Sequence, residues 1–486
     1  MEPKNNNSKE MIKLALVKLS EDMNEPLNLL ELASYLKKKI PSIKIKIIDM
    51  AYDNIMNDLL RFKPNLVGIS AMTVEYPLSI QLCKKIKEKT DVPVVIGGIH
   101  ISCLPKSLDM CFDLGIVGEA EIPFYEVINN YSKNKIIDYS SIRQVSGIVF
   151  YDKEKLVINP QKNILLDLDE IPVPDRALLD KNYFLFRPMY MIGRYRRWNS
   201  IITARGCPYN CKFCISTRFF SKLRFRSARR VVDEIKDLYI NYKIEHINIW
   251  DDLFCASVPR LKDIVNLLEE EKLLGKITFN TNIRGNIATD EIFDLYKKMG
   301  VKSIGLGFES GSDRILRYLK GKTITVEQNF NALKKGIKKG FNMSASFMIG
   351  VPGEKIEDME KTRDVIKKCI DIGVKRIFFF VLTPFPGCDI WEIAKQRMKV
   401  QENMDFSKLS FHEDLPLLLD EDVPITEYMR VRKQIIYELK RIKHNCVKEY
   451  FIDNPLLTIK SIVLHPINSI MKVCNIKNEK ENVEDI

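Results

Sequence analysis

The sequence predicts an α/β protein with a doubly wound N-terminal domain, a partial (β/α)6 barrel and a helical C-terminal tail. Two observations predict it. Between Met11 and Val117 short apolar runs alternate with segments of helical spacing, and from Trp198 to Thr383 a strand-then-helix unit repeats six times. The 486 residues also exceed the size at which one hydrophobic core stops growing, so several domains are expected. Their expected bounds are 1–150 for the doubly wound domain, 151–197 for a linker, 198–390 for the barrel and 391–486 for the mainly helical C-terminal region.

In the first domain Met11 to Lys18 is an apolar strand, Leu27 to Lys39 has helical spacing and Ile43 to Asp49 is again a strand. Leu66 to Ser70, Val92 to Ile96 and Leu114 to Val117 continue the sheet, with a helix over Leu78 to Lys89. Ligands of such sheets lie at the carboxyl ends of the strands. Those ends carry Ser70-Ala-Met72-Thr73, Gly97-Gly98-Ile-His100-Ile-Ser102 and Gly118-Glu119-Ala-Glu121. Glycine lets backbone come close to a large ligand, and the hydroxyls of Ser70, Thr73 and Ser102 supply hydrogen bonds. Asp167 to Arg176 is acidic and punctuated by proline, which reads as a linker. Residues 177–197, rich in Tyr, Phe, Met and Arg, lead into the barrel.

The barrel strands are expected at Trp198 to Ala204, His246 to Asp251, Lys276 to Asn282, Ser303 to Glu309, Met343 to Gly350 and Arg376 to Thr383. Residues at the carboxyl ends of barrel strands face the reactive side. Here they include Asp251-Asp252, Asn280 to Arg284, Gly305 to Glu309 and Ile349-Gly350. The first strand runs into Cys207, Cys211 and Cys214, a CxxxCxxC array. Three thiolates hold three irons of a cubane cluster and leave the fourth iron open to a substrate or cofactor. A zinc knuckle would need a fourth Cys or His nearby, and the next cysteine is Cys255. The remaining cysteines of the eleven form no regular framework, which points to reduced thiols and a cytoplasmic setting.

The CxxxCxxC array with Phe213 before its third cysteine resembles the radical S-adenosylmethionine (radical SAM) family. The resemblance implies a 4Fe-4S cluster on Cys207, Cys211 and Cys214 that binds S-adenosyl-L-methionine at its open iron. An electron from the cluster then cleaves the sulfonium and yields a radical that abstracts hydrogen from substrate. It further implies S-adenosylmethionine contacts from Phe213, Asp251, Asp252, Arg284, Glu309, Ile349 and Gly350. The usual Gly-Gly-Glu after the second strand is replaced here by Asp251-Asp252.

The N-terminal strand ends resemble the cobalamin-binding domain that precedes many such barrels. That resemblance implies cobalamin contacts from Ser70, Met72, Thr73, Gly97, Gly98, His100, Ser102, Gly118 and Glu119. The loop where other cobalamin proteins carry a cobalt-ligating histidine reads Ser20 to Pro26 and contains none. Together the two resemblances imply a methyltransferase acting on an unactivated carbon. Such an enzyme uses one S-adenosylmethionine to methylate cobalamin and another to make the radical. Radical cyclisation, ring contraction or oxidation without methyl transfer uses the same motifs. A cobalamin-binding regulatory protein is the reading from another class, against which the intact cysteine triad argues. A flavodoxin or ferredoxin reductant and an anaerobic setting are also implied.

The net charge of +12 comes from lysines spread throughout, without interleaved aromatic and basic positions, so nucleic acid is not expected as a partner. Met1 to Glu10 has no signal-peptide core, and no uncharged apolar stretch reaches the ~18 residues that span a bilayer. Residues 425–451 read as a basic amphipathic helix, suited either to packing over the barrel or to peripheral contact with an anionic membrane. Leu456 to Val473 is interfacial at most, and Glu479 to Ile486 is a charged, disordered end. The substrate is left open among a lipid, a peptide, a tetrapyrrole and an antibiotic precursor.

Overall fold

The computed structural model describes residues 11–22, 24–189, 194–410 and 414–453. Five parallel strands, β1 (Lys13–Lys18), β2 (Lys44–Asp49), β3 (Leu66–Ser70), β4 (Val94–Gly97) and β5 (Leu114–Ile116), form the first sheet in the order β2-β1-β3-β4-β5. Its side chains alternate between two cores. Leu14 and Leu16 face one and Ala15 and Val17 the other, all buried, as expected of a parallel sheet covered on both sides. The strand order reverses between β1 and β3, which opens a crevice at their carboxyl ends. The sheet continues beyond the sequence reading. β6 (Ile148–Asp152) and β7 (Lys155–Asn159) extend it as an antiparallel hairpin. Its turn, Lys153-Glu154, lacks the glycine that would have announced it.

The second sheet begins with β8 (Phe186–Met189), antiparallel to β9 (Arg194–Ile201). A two-residue pair, β10 (Ala204–Arg205) with β11 (Arg224–Phe225), follows. Then come β12 (His246–Ile249), β13 (Thr278–Ile283), β14 (Val301–Glu309), β15 (Asn342–Ile349) and β16 (Arg376–Val381). The order is β16-β15-β14-β13-β12-β9-β8, so six parallel strands make a half-barrel. The first barrel strand ends at Ile201, short of the expected Ala204, because the Thr203 and Ala204 amides are captured by Asp251.

Period-two alternation sets the two faces of the half-barrel. Ile247, Ile304, Leu306, Phe308, Ala345 and Phe347 are buried in the core beneath the helices. The alternate positions Asn248, Asn282, Gly305, Gly307 and Ser346 are small or polar and less buried, so the other face is hollow. A further core joins the two domains, with Val17, Ile69 and Ile96 of the first sheet beside Met348 of the second and Leu319 and Trp391 of helices that follow its strands. Helix Ile425–Asp453 buries Tyr428, Val431 and Ile435 against the barrel core. The apolar face of its first turns is therefore already covered. Among the described residues no helix is long and apolar enough to cross a membrane. The segments Leu456 to Val473 and Glu479 to Ile486 lie outside the described residues.

Candidate active site

The β10–β11 pair matches Ala204 with Phe225 and Arg205 with Arg224, pinching the intervening chain into the loop that carries Cys207, Cys211 and Cys214. The three thiols are partly exposed. The loop is anchored through the Lys212 amide, which donates to the Leu319 carbonyl at 2.9 Å. Two donors aim at sulfur: Arg284 Nη1 lies 3.4 Å from Cys211 Sγ, and the Ser216 amide 3.5 Å from Cys214 Sγ. Hydrogen bonds to ligand sulfurs are a means of tuning a cluster's potential. Burial pushes the Cys214 thiol up to about 11 and raises Cys207 as well. A metal centre would therefore supply most of the charge that holds them as thiolates. Among the described residues no three His, Cys, Asp or Glu side chains close on a single-ion site. A cluster asks less, since each thiolate binds its own iron.

The strand ends around this loop divide into braces and open positions. Asp251, fully buried, accepts from the Thr203 amide at 2.5 Å, the Thr203 hydroxyl and the Ala204 amide at 3.1 Å. Burial raises its pKa to about 6 despite those donors. It holds the turn before the cysteines and offers nothing outward. Asp252 is exposed, accepts from Ser216 Oγ at 2.5 Å and lies within electrostatic reach of Cys207 and Cys214. Arg284, expected as an S-adenosylmethionine contact, has its donors engaged within the fold. Besides Cys211 it donates to Asn286 Oδ1 at 3.0 Å and to the Lys320 carbonyl at 2.9 Å, and its guanidinium sits 3.9 Å over the Tyr209 ring.

Lys320 in turn reaches Glu309 at 3.1 Å. Glu309 follows a bulge in β14 and has φ +71°, an uncommon conformation for a non-glycine residue. Phe213 packs partly buried on the shared core. The Ile349 side chain is wholly buried on the helix side, and its carbonyl accepts from the Leu382 amide. Gly350 has φ +83°, and a Cβ there would lie 2.4 Å from Pro416. Its amide donates to Glu354 Oε2 at 2.7 Å, as does Val351 at 3.0 Å. Neither Cys255 nor Cys388 faces outward; both are 2% exposed.

At the crevice of the first sheet, Met72, Val74 and Ile99 stand exposed together on the carboxyl edge, at 48%, 37% and 37%. Such an apolar lip fits a large flat ligand. Gly98, φ +99°, lets the β4 loop close on β3; a Cβ there would lie 2.5 Å from the Ala71 carbonyl. Ser102 Oγ links the Gly98 carbonyl at 2.7 Å to the Gly118 amide at 2.9 Å. Ser70 accepts from Asn28 at 2.9 Å, Met72 donates through its amide to Glu75, Thr73 is buried, and a Cβ at Gly97 would make only ordinary contacts, 3.9 Å from the Ile69 carbonyl and 4.0 Å from Ile116 Cβ.

Two expected contacts lie elsewhere. His100 is buried between Tyr76, stacked at 3.9 Å, and Phe406, edge-on at 4.6 Å, with Nε2 on Ser107 at 3.0 Å. Burial holds its pKa down to about 3, so the ring is neutral. Glu119 is buried in ion pairs with Arg205 and Arg224. The loop after β1, where a cobalt-ligating histidine stands in other proteins, instead points Glu25 inward to Arg176 and to the Ser200 amide.

The radical SAM superfamily pattern matches residues 201–366, and the B12 binding domain pattern matches residues 13–128. An uncharacterized methyltransferase of Pyrococcus horikoshii is 32% identical over 387 residues, covering 76% of this chain and 78% of that protein. The chain belongs to the cobalamin-binding radical SAM enzymes. The anaerobic magnesium-protoporphyrin IX monomethyl ester cyclase of Rubrivivax gelatinosus is 26% identical, covering 75% of this chain and 64% of that protein. Among solved structures, the cobalamin-dependent S-adenosylmethionine radical enzyme OxsB has the same fold, with TM-score 0.70 and 18% identity over 97% of this chain and 76% of that one.

Sequence reasoning missed two features of the strand ends of this radical SAM enzyme. One is Arg284 as a donor to the Cys211 sulfur. Replacing it with lysine keeps the charge but not the fork. Arg284→Lys is expected to slow reductive cleavage of S-adenosylmethionine about ten- to a hundred-fold, the usual cost of an outer-shell change, measured as 5′-deoxyadenosine formed. The other is Glu354, fully buried, whose Oε1 has no partner and whose pKa burial raises to about 8. Between pH 4.5 and 8 the folded chain keeps a proton that the unfolded chain has lost, so this carboxyl lowers stability as pH rises. Glu354→Gln removes that loss. Its stability relative to the parent should grow across this window by up to about 1.4 kcal/mol per pH unit, read by urea denaturation at several pH values.

Proposed function

We propose that this enzyme methylates an unactivated carbon of an organic substrate, with cluster, S-adenosylmethionine and cobalamin serving one cavity. One observation carries the reading. Helix Ile99–Cys103, which opens at Gly98 on the crevice, packs against Ser216–Phe219, the turn that follows Cys214. Between them lies Gly387, where a Cβ would be 2.8 Å from both Cys103 Sγ and Ile215 Cδ1. Crevice and cluster loop therefore adjoin with no layer between them, as a short-lived radical requires.

When bound, the cluster supplies the electron that cleaves S-adenosylmethionine, and cobalamin carries the methyl group. The chain's own residues do the rest. Cys207, Cys211 and Cys214 hold the cluster, while Arg284 and the Ser216 amide bond its sulfurs. For S-adenosylmethionine we assign Asp252 to the amine and Glu309 to a polar contact, with Phe213 and the backbone at Gly350 beside the adenine. Asp251, Arg284 and the Ile349 side chain are left out because each is spent inside the fold. For cobalamin we assign Ser70, Met72, Thr73, Gly97, Gly98, Ser102 and Gly118, without His100 and Glu119. The cobalt then has no histidine from the Ser20–Pro26 loop. A flavodoxin or ferredoxin is the proposed electron donor and an anoxic cytoplasm the setting. The covered face of helix Ile425–Asp453 gives no support to a membrane contact.

The test is anaerobic reconstitution with hydroxocobalamin, followed by iron and cobalt counts and analysis of S-adenosylmethionine products. Methyl transfer requires S-adenosylhomocysteine, formed only when cobalt is bound, in step with 5′-deoxyadenosine. The cyclase among the relatives supports the second reading, radical chemistry without methyl transfer, which predicts 5′-deoxyadenosine alone. Cobalt failing to remain with the protein would refute both.

A further inference from the structure

Behind the cluster loop six charged side chains are buried together. Arg205, two residues before Cys207, sends Nη1 to Glu119 at 2.5 Å and Nη2 to Glu31 and Glu121, each at 2.6 Å. Arg224 pairs with Glu119, and Arg226 with Glu31. No side chain of the six is more than 9% exposed. Their origins are what matter. All three carboxylates belong to the crevice domain, Glu31 on the helix after β1 and Glu119 and Glu121 after β5. All three guanidiniums belong to the β10–β11 hairpin that pinches the cluster loop, or to the residue just after it.

Three positive and three negative groups cancel, so the cluster carries no net charge. Stability is a poor explanation for it. Desolvating six ions offsets much of their attraction, and well-packed apolar residues of the same volume often hold an interface as firmly. Ion pairs of this kind differ from apolar contacts in their direction. A guanidinium forked among three carboxylates has one low-energy placement, whereas an apolar face tolerates sliding.

We propose that Arg205 is a positioning residue, whose clamp by Glu31, Glu119 and Glu121 fixes the cluster loop in register with the cobalamin-binding crevice. The inference rests on the reading that both cofactors serve one cavity. Gly118-Glu119-Ala-Glu121, which resembles a cobalamin contact in sequence, thus contributes its carboxylates to the register of the two sites. A displacement of an ångström between reacting groups costs on the order of a hundredfold in rate, which is the scale on which such a register acts.

The experiment measures a separation, not a product. The protein is loaded with cluster and cobalamin, poised so that cobalt(II) and the reduced cluster are both partly paramagnetic, and the dipolar coupling between them is recorded by pulsed electron paramagnetic resonance. The parent is expected to give one narrow distance. Arg205→Lys, with iron and cobalt retained, is expected to broaden that distribution by about twofold, since lysine keeps the charge but loses the fork. An unchanged width at full metal content overturns the proposal. If Arg205→Lys assembles no cluster, Glu121→Met decides by the same criterion, because it leaves Arg205 two of its three partners. Neither result depends on whether a methyl group is transferred. Absence of cobalt from the parent would instead refute the shared-cavity reading.

Discussion

Replacing any one of Cys207, Cys211 or Cys214 with alanine is expected to abolish reductive cleavage of S-adenosylmethionine and to empty the protein of iron. A cubane on three thiolates has no spare protein ligand, so loss of one leaves two irons unanchored. Iron should fall from about four per chain to a small fraction of that after anaerobic reconstitution and desalting. The fold should survive. The three thiols lie in a partly exposed loop held by backbone bonds such as Lys212 to Leu319, and Asp251 secures its entry without reference to metal. Cys255→Ala and Cys388→Ala are the matched controls. Both residues are buried, so they should lose about 1 kcal/mol of stability for the deleted atoms yet keep the iron and the cleavage. A Cys211→Ala protein that retained full iron and formed 5′-deoxyadenosine would end the cluster assignment.

The parts of the molecule legible in sequence are those with local, periodic causes. The strand Leu66–Ser70 and the helix Leu27–Lys39 fall where apolar spacing puts them, and the six parallel strands of the barrel are all present within a few residues. The cysteine array needs no fold to be recognised, because its spacing is itself the chemistry. What sequence does not show is which side chains are drawn inward by partners distant in the chain. Glu119 stands at a strand end, where a ligand contact is the reasonable expectation, and only the approach of Arg205 and Arg224 turns it inward. His100 follows two glycines on the same edge, yet Phe406, from a segment beyond the barrel, closes over its ring. Arg284 sits at the end of β13 and is drawn away by the carbonyl of Lys320 and the sulfur of Cys211. The hairpin β6–β7 was missed because its Lys153-Glu154 turn lacks the usual glycine, and the pair β10–β11 because each strand is two residues long and the whole cysteine loop separates them. One signal was available. An arginine two residues before a cluster cysteine, and an acidic pair with one residue between, are expensive to bury unless they meet.

The second large effect is expected at Arg176, in the linker. Its side chain is fully buried and joins three separate pieces of chain: Nε to Glu25 at 3.0 Å, and Nη2 to Glu234 and to the Ser200 carbonyl, both at 2.8 Å. Glu25 comes from the loop after β1, Ser200 from β9 and Glu234 from the first barrel helix, so one guanidinium ties crevice domain to barrel. Arg176→Ala leaves Glu25 buried without its cation and Glu234 with Arg230 alone, at 3.2 Å, a loss of about 3–5 kcal/mol, against a typical total of about 5–15 kcal/mol for a folded domain. The pH dependence distinguishes this cause from a simple cavity. Stranded carboxylates are expected to hold protons more tightly in the folded chain than their ordinary value near 4.5. The variant is then least impaired near pH 5 and loses ground as pH rises toward 8, whereas a cavity costs the same at every pH. Urea denaturation of parent and variant at pH 5.5 and 7.5 reads both quantities. A penalty under about 1 kcal/mol at pH 7.5, or one that does not grow with pH, would show that the linker arginine is not what offsets the burial of Glu25.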